Sequence, residues 1–385
     1  MKTVCMAVAF LLLNVLSQGA AIKDILSPDK KIRVHIDVSN GLFYSVSFNG
    51  QTLLQPSQIA LQVAGIPNDL AIKQVITRSV NEVITSPVPE KRKLIPDVYN
   101  EVTIRFRRPF SLTFRVYNDG VAYRFATHVK DSLTINGETA QFNFPEAFPL
   151  YYPEVVKREN ADSFHTSFEE PYQHKPLDSL TVNNLCFTPV LVAVPNGPRI
   201  AITESDLEDY PGMFLTGAGN RSLQGKFAPY PLEEKATEGE FPQLVVTKRA
   251  DFLARTAGSR TYPWRVLLIA AKDSELPLND LVYRLAPPSR LQDVSWIDPG
   301  KGTDEWIIGI NLFNVPFKSG INTSTYKYYI DFAKRFGFSR IMMDAGWSDY
   351  KDLFKINPAL NMEEIAAYAK ANNIKLSMWT LAMTL

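Results

Sequence analysis

Asp344-Ala345-Gly346-Trp347 brings together a carboxylate, a glycine that permits a tight turn and a flat aromatic face. That set suits a sugar, whose C–H faces stack on rings and whose hydroxyls donate to charged acceptors. It directly follows the apolar run at 340–343. A carboxylate at the C-terminal end of a parallel strand faces the side of an α/β fold where ligands bind. A plainer reading stands beside this one, in which Asp344 only caps the loop to the next helix. Trp306 and Trp379 adjoin two further strand-like runs and would line the same mouth, although bare spacing favours the core for both. A second candidate is Ser167-Phe168-Glu169-Glu170-Pro171-Tyr172, whose acids could give a metal an oxygen ligand, or form only a solvated loop. The acidic stretch at 204–210 lacks the alternation and glycine of a calcium loop. His35, His128, His165 and His174 show no zinc-like spacing. No nucleophile elbow, P-loop or dinucleotide fingerprint occurs in a strand–helix context.

The elements that must position these residues change character along the chain. Residues 22 to about 290 read as all-β. Ile32, Val34, Ile36 and Val38 alternate with Arg33, His35 and Asp37, the period of a half-buried strand. Asn40-Gly41 and Asn49-Gly50 between such runs are hairpin signals, and Asn118-Asp119-Gly120 marks another turn. Many short strands without a fixed repeat favour a large two-sheet sandwich over a propeller or solenoid. After Pro299-Gly300-Lys301-Gly302 the pattern becomes β-α-β-α-β. It predicts a strand at 306–312, a helix at 326–336 stopped by Gly337, and the strand at 340–343. A helix opened by Asn361-Met362-Glu363-Glu364 and a strand at 374–378 complete it. That alternation implies parallel strands and the start of a (β/α)8 barrel, which needs about 250 residues when complete.

Lys plus Arg number 41 against 40 Asp plus Glu, which leaves no electrostatic footprint for nucleic acid or an anionic membrane. Lys2, the apolar run at 4–16 and Ser17-Gln18-Gly19-Ala20-Ala21 come in signal-peptide order, and the run is too short for a bilayer. Residues 1–21 are therefore expected to be a signal peptide and the protein to be extracytoplasmic, periplasmic or secreted. Cys5 would leave with that segment, and Cys186 alone forms no internal disulfide. At the other end the chain stops straight after a strand-like run, as an interrupted domain would.

Several motifs carry a resemblance. Ser295-Trp296-Ile297-Asp298-Pro299-Gly300-Lys301, Gly320-Ile321-Asn322-Thr323-Ser324-Thr325-Tyr326 and Asp344-Ala345-Gly346-Trp347 follow one another in order. Leu26-Ser27-Pro28-Asp29 and Tyr117-Asn118-Asp119-Gly120-Val121 fit further upstream. On these the chain resembles glycoside hydrolase family 97 over nearly its whole mature length. The resemblance implies a multi-domain protein, β then α/β. An N-terminal β-super-sandwich (22–295) would precede the first part of a (β/α)8 catalytic barrel (296–385). It implies an exported, calcium-dependent α-galactosidase or α-glucosidase acting on an oligosaccharide or α-glycoside. Glu169, with Glu170 as its rival, would ligate calcium, and Asp344, Trp347 and Trp306 would contact the sugar.

The family's inverting members carry a glutamate soon after the third strand, and no acid follows Glu364 here. The retaining, α-galactosidase-like branch is therefore expected. Its nucleophile and general acid would lie beyond Leu385, so the 385 residues are expected to be inactive. Trp306-Ile307-Ile308-Gly309 replaces polar and aromatic residues usual in the family's first strand. The alternative is a non-catalytic carbohydrate-binding or interaction protein built on the sandwich.

Overall fold

The computed structural model describes residues 22–88, 91–157, 162–238 and 242–382, so the expected signal peptide lies outside the described residues. The chain divides into two compact units: residues up to 234 with 246–290, and residues 235–245 with 291–385.

The first unit is a sandwich of two antiparallel sheets, as the alternating strands and turn pairs predict. The eight-stranded sheet runs in the order Ile22–Leu26, Ile32–Asp37, Phe43–Phe48, Gln51–Val63, Leu133–Asn143, Ser222–Phe227, Met213–Gly217. The strand Ala254–Thr256 also pairs with Leu133–Asn143. Ile32, Val34 and Ile36 point into the core while Arg33 stays exposed, the two-residue period of a pleated strand. Asn49 and Gly50 both take positive φ, which gives the tight turn into Gln51–Val63. The ten-stranded sheet is centred on Trp264–Ala270, Gly120–His128 and Phe110–Tyr117. Tyr44 of the first sheet meets Phe114 and Tyr123 of the second at ring distances of 5.7 and 5.4 Å, so aromatic packing joins the layers.

One charged cluster lies inside this sandwich. The guanidinium of Arg265 donates from Nε and Nη2 to Glu138 at 2.7 and 2.8 Å, and from Nη1 to Glu204 at 2.5 Å. The Tyr210 hydroxyl and the Met213 N–H donate to the same two carboxylates. Burial alone would lower the affinity of Arg265 for its proton, but the facing Glu138 and Glu204 carboxylates raise it instead.

The second unit holds a three-stranded parallel sheet of β1 (Gly302–Thr303), β2 (Arg340–Met343) and β3 (Lys375–Met378). The helices α1 (Thr323–Phe336) and α2 (Met362–Ala371) alternate with these strands. Asn322 caps α1 by accepting the Thr325 N–H, and Gly337 ends it in the left-handed conformation. Asn361 caps α2 in the same way. Tyr326, Ile330 and Ala333 of α1 pack with Ile341 and Met343 of β2 and with Ile365 and Ala369 of α2. They recur at the helix period on α1 and α2 and at the strand period on β2.

The first strand is not where the sequence predicts it. Residues 306–312 are not extended: Trp306–Ile308 forms one turn of 3-10 helix. Gly309 and Ile310 have φ of +61 and +57°, and their N–H groups donate back to Trp306 O and Glu305 O. An apolar run interrupted by glycine closes into a turn, and pairing with β2 falls instead on Gly302 and Thr303.

Candidate functional site

The C-terminal ends of the three parallel strands bring together Glu305, Asp344, Trp347 and Trp379. Asp344 follows β2 directly and is half-buried. Its Oδ1 accepts the Ala345 N–H at 2.5 Å. Its own N–H donates across to Glu305 Oε1 at 2.9 Å, just past the end of β1. On the other side the Trp347 indole donates to Trp379 O at 2.8 Å, past the end of β3. The turn carrying Asp344 is thus tied to both neighbouring strand ends. Gly346 sits at φ +100°, and a Cβ there would meet Ile321 Cδ1 at 2.4 Å, so this turn requires glycine. Asn357 closes the loop by donating to Gly346 O.

The three aromatic and acidic residues expected here end in different places. Asp344 stands at the strand end, as expected. Trp347 is 8% exposed and belongs to the core of the second unit, so it supports the turn and offers no open stacking face. Trp306 is 63% exposed, on the 3-10 turn beyond β1 and not on a strand.

Glu305 is the residue the sequence reading passed over. It is 1% exposed and has no cationic partner among the described residues. Burial pushes its carboxyl above the usual range, against the Asp344 N–H that favours the charged form; the nearby Asp344 carboxylate pushes it further up. The Tyr326 and Tyr329 hydroxyls face it from α1, and neither makes a hydrogen bond of normal geometry. The available signal was an acid two residues after a Gly-Thr pair; placing the strand at 306–312 moved that acid to the wrong end.

In the first unit, Glu169 is exposed on a loop pinned by rings. Phe168, at φ +53°, packs on Phe214 and Phe187 at 5.5 and 5.4 Å. Tyr172 packs on Phe187, and its hydroxyl donates to Pro189 O. This fixes the loop and leaves the Glu169 carboxylate in water. Calcium takes six to eight oxygens. Among the described residues no three His, Cys, Asp or Glu side chains converge, at Glu169 or elsewhere.

Comparison with known proteins decides the family. The profile of the Glycosyl-hydrolase 97 N-terminal domain matches residues 25–288, and that of Glycoside hydrolase 97 matches residues 305–385. The chain belongs to glycoside hydrolase family 97. Among curated members, a retaining alpha-galactosidase of Bacteroides thetaiotaomicron is 33% identical over 366 residues, covering 92% of this chain and 55% of that protein. A probable retaining alpha-galactosidase of Streptomyces bingchenggensis is 27% identical over 362 residues, covering 90% and 50%. The chain spans about half the length of the curated relatives it matches. A family 97 enzyme from Pseudoalteromonas sp. strain K8, solved with acarbose, shares the fold at TM-score 0.73 and 22% identity, covering 92% of this chain and 53% of that one. No helix of the described residues is long and apolar enough to cross a membrane.

Proposed function

We propose that this family 97 chain is a glycoside hydrolase of the retaining, α-galactosidase-like type, and that its three parallel strands are the first three of a (β/α)8 barrel. Asp344 then sits at the barrel mouth and accepts hydroxyls of the sugar. The observation that supports this best is the double tether of the Asp344 turn, which holds one half-buried carboxylate at a strand end. The likeness to named α-galactosidases supports the choice of galactoside.

Retention needs two carboxylates about 5–5.5 Å apart, one on each side of the scissile bond. At the three strand ends the described residues offer Asp344, the buried Glu305 and Asp304, which is exposed. Glu305 is already committed to the Asp344 N–H. We therefore place neither the nucleophile nor the general acid among the described residues. Nitrophenyl α-galactoside and α-glucoside should release no nitrophenol above the buffer rate with the 385-residue chain, with calcium or with chelator. Turnover would overturn that placement.

Calcium enters this reading only through Glu169, as one of its oxygen ligands. Export rests on Lys2 and the apolar run at 4–16. A non-catalytic sugar-binding role on the sandwich is the second reading, favoured by the lack of a facing carboxylate pair. The two part at Asp344: binding on the sandwich survives Asp344→Ala, and binding at the strand ends does not.

A further inference from the structure

We propose that Glu305 is the positioning residue of this site: its buried side chain accepts the Asp344 N–H and thereby sets the direction of the Asp344 carboxylate. The proposal rests on the reading of Asp344 as a sugar contact and adds a residue to it.

Three observations carry the assignment. The Glu305 Oε1 to Asp344 N distance is 2.9 Å, and this bond links the loop after β1 to the turn after β2. Glu305 is almost wholly buried, so this is an interior contact and not a surface one. Its burial has no cationic partner to justify it among the described residues; beside the Asp344 N–H it is faced only by the Tyr326 and Tyr329 hydroxyls, and Oε2 makes no hydrogen bond of normal geometry. A buried carboxyl without a cation is costly in a purely structural role, and an apolar residue would fill that space at less cost. Position explains what packing does not. Without the bond, nothing on the β1 side holds the Asp344 N–H, and that peptide is held only from β3, where the Trp379 N–H donates to Met343 O at 2.9 Å. Misplacement by about 1 Å is enough to weaken a contact of this kind severely.

The claim concerns reach, not charge. Glu305→Gln keeps an acceptor oxygen at the same distance and removes the charge. Glu305→Asp keeps the charge and withdraws the acceptor by one methylene. Hydrogen exchange of the peptide spanning Asp344 to Trp347 reads the tether, and the Trp347 indole signal, tied to the other neighbour, reports that the unit is folded. The expected order is wild type and Glu305→Gln protected, and Glu305→Asp exchanging at least about tenfold faster at Asp344 with the indole signal unchanged. Affinity for methyl α-galactoside should follow the same order. Equal protection in all three, or loss in Glu305→Gln with retention in Glu305→Asp, would overturn the proposal. If Glu305→Asp does not fold, Glu305→Leu, which fills the space without an acceptor, takes its place: it should lose protection at Asp344, and protection equal to wild type would overturn the proposal. If exchange follows the expected order but the wild-type chain binds no galactoside, the positioning stands and the sugar reading fails.

Discussion

Arg265→Met is expected to lower the stability of the sandwich by about 3–5 kcal/mol, the usual result of removing one partner from a buried ion pair. The substitution roughly preserves volume, so little of that loss comes from a cavity. The cost arises because Glu138 and Glu204 remain. Glu138 loses a two-pronged contact at 2.7 and 2.8 Å, and Glu204 loses its contact at 2.5 Å. The remaining donors, the Tyr210 hydroxyl and the Met213 N–H, cannot neutralise two interior carboxylates. At roughly 2–4 °C per kcal/mol for a domain of this size, calorimetry should show the sandwich transition about 6–20 °C lower. A shift under about 2 °C would mean that water reaches the cluster.

Asp344→Ala is expected to remove galactoside binding by the chain. A hydrogen bond from a sugar hydroxyl to a carboxylate contributes about 1.5–3 kcal/mol, which is roughly 10- to 150-fold in the dissociation constant. For a monosaccharide held at millimolar level such a loss takes binding beyond detection. The fold should be kept, since the tether to Glu305 runs through the Asp344 backbone N–H, and the turn loses only the bond from the Ala345 N–H to the side chain. Calorimetric titration with methyl α-galactoside checks the first point, and the melting temperature checks the second.

The sandwich was legible because its signals are local. Alternation in Ile32–Asp37 and the Asn49-Gly50 turn each follow from a few neighbouring residues, and the structure realises both. The helices were legible for the same reason, with Asn361 and Gly337 marking their ends. The start of α1 was misjudged by a few residues, because Ser324 and Thr325 are cap types too, while Asn322 is the residue that caps. The first strand was misread because Trp306-Ile307-Ile308 looks buried by composition. Only pairing with β2, a contact distant in sequence, selects Gly302–Thr303. That one error hid Glu305 and put Trp306 on a strand it does not occupy. Trp347 raised the converse difficulty. An aromatic beside a carboxylate suits both a sugar platform and a turn anchor, and its bond to Trp379 O, which decides between them, joins residues far apart in sequence.

The central claim is that the turn after β2 recognises an α-galactoside through Asp344. The most direct test is saturation-transfer NMR on the 385-residue chain with methyl α-galactoside and methyl α-glucoside, with calcium and with chelator. The predicted result is transfer to the galactoside, weaker transfer to the glucoside, and loss of both signals in Asp344→Ala. No transfer to either sugar, or the same transfer in wild type and Asp344→Ala, would contradict the account.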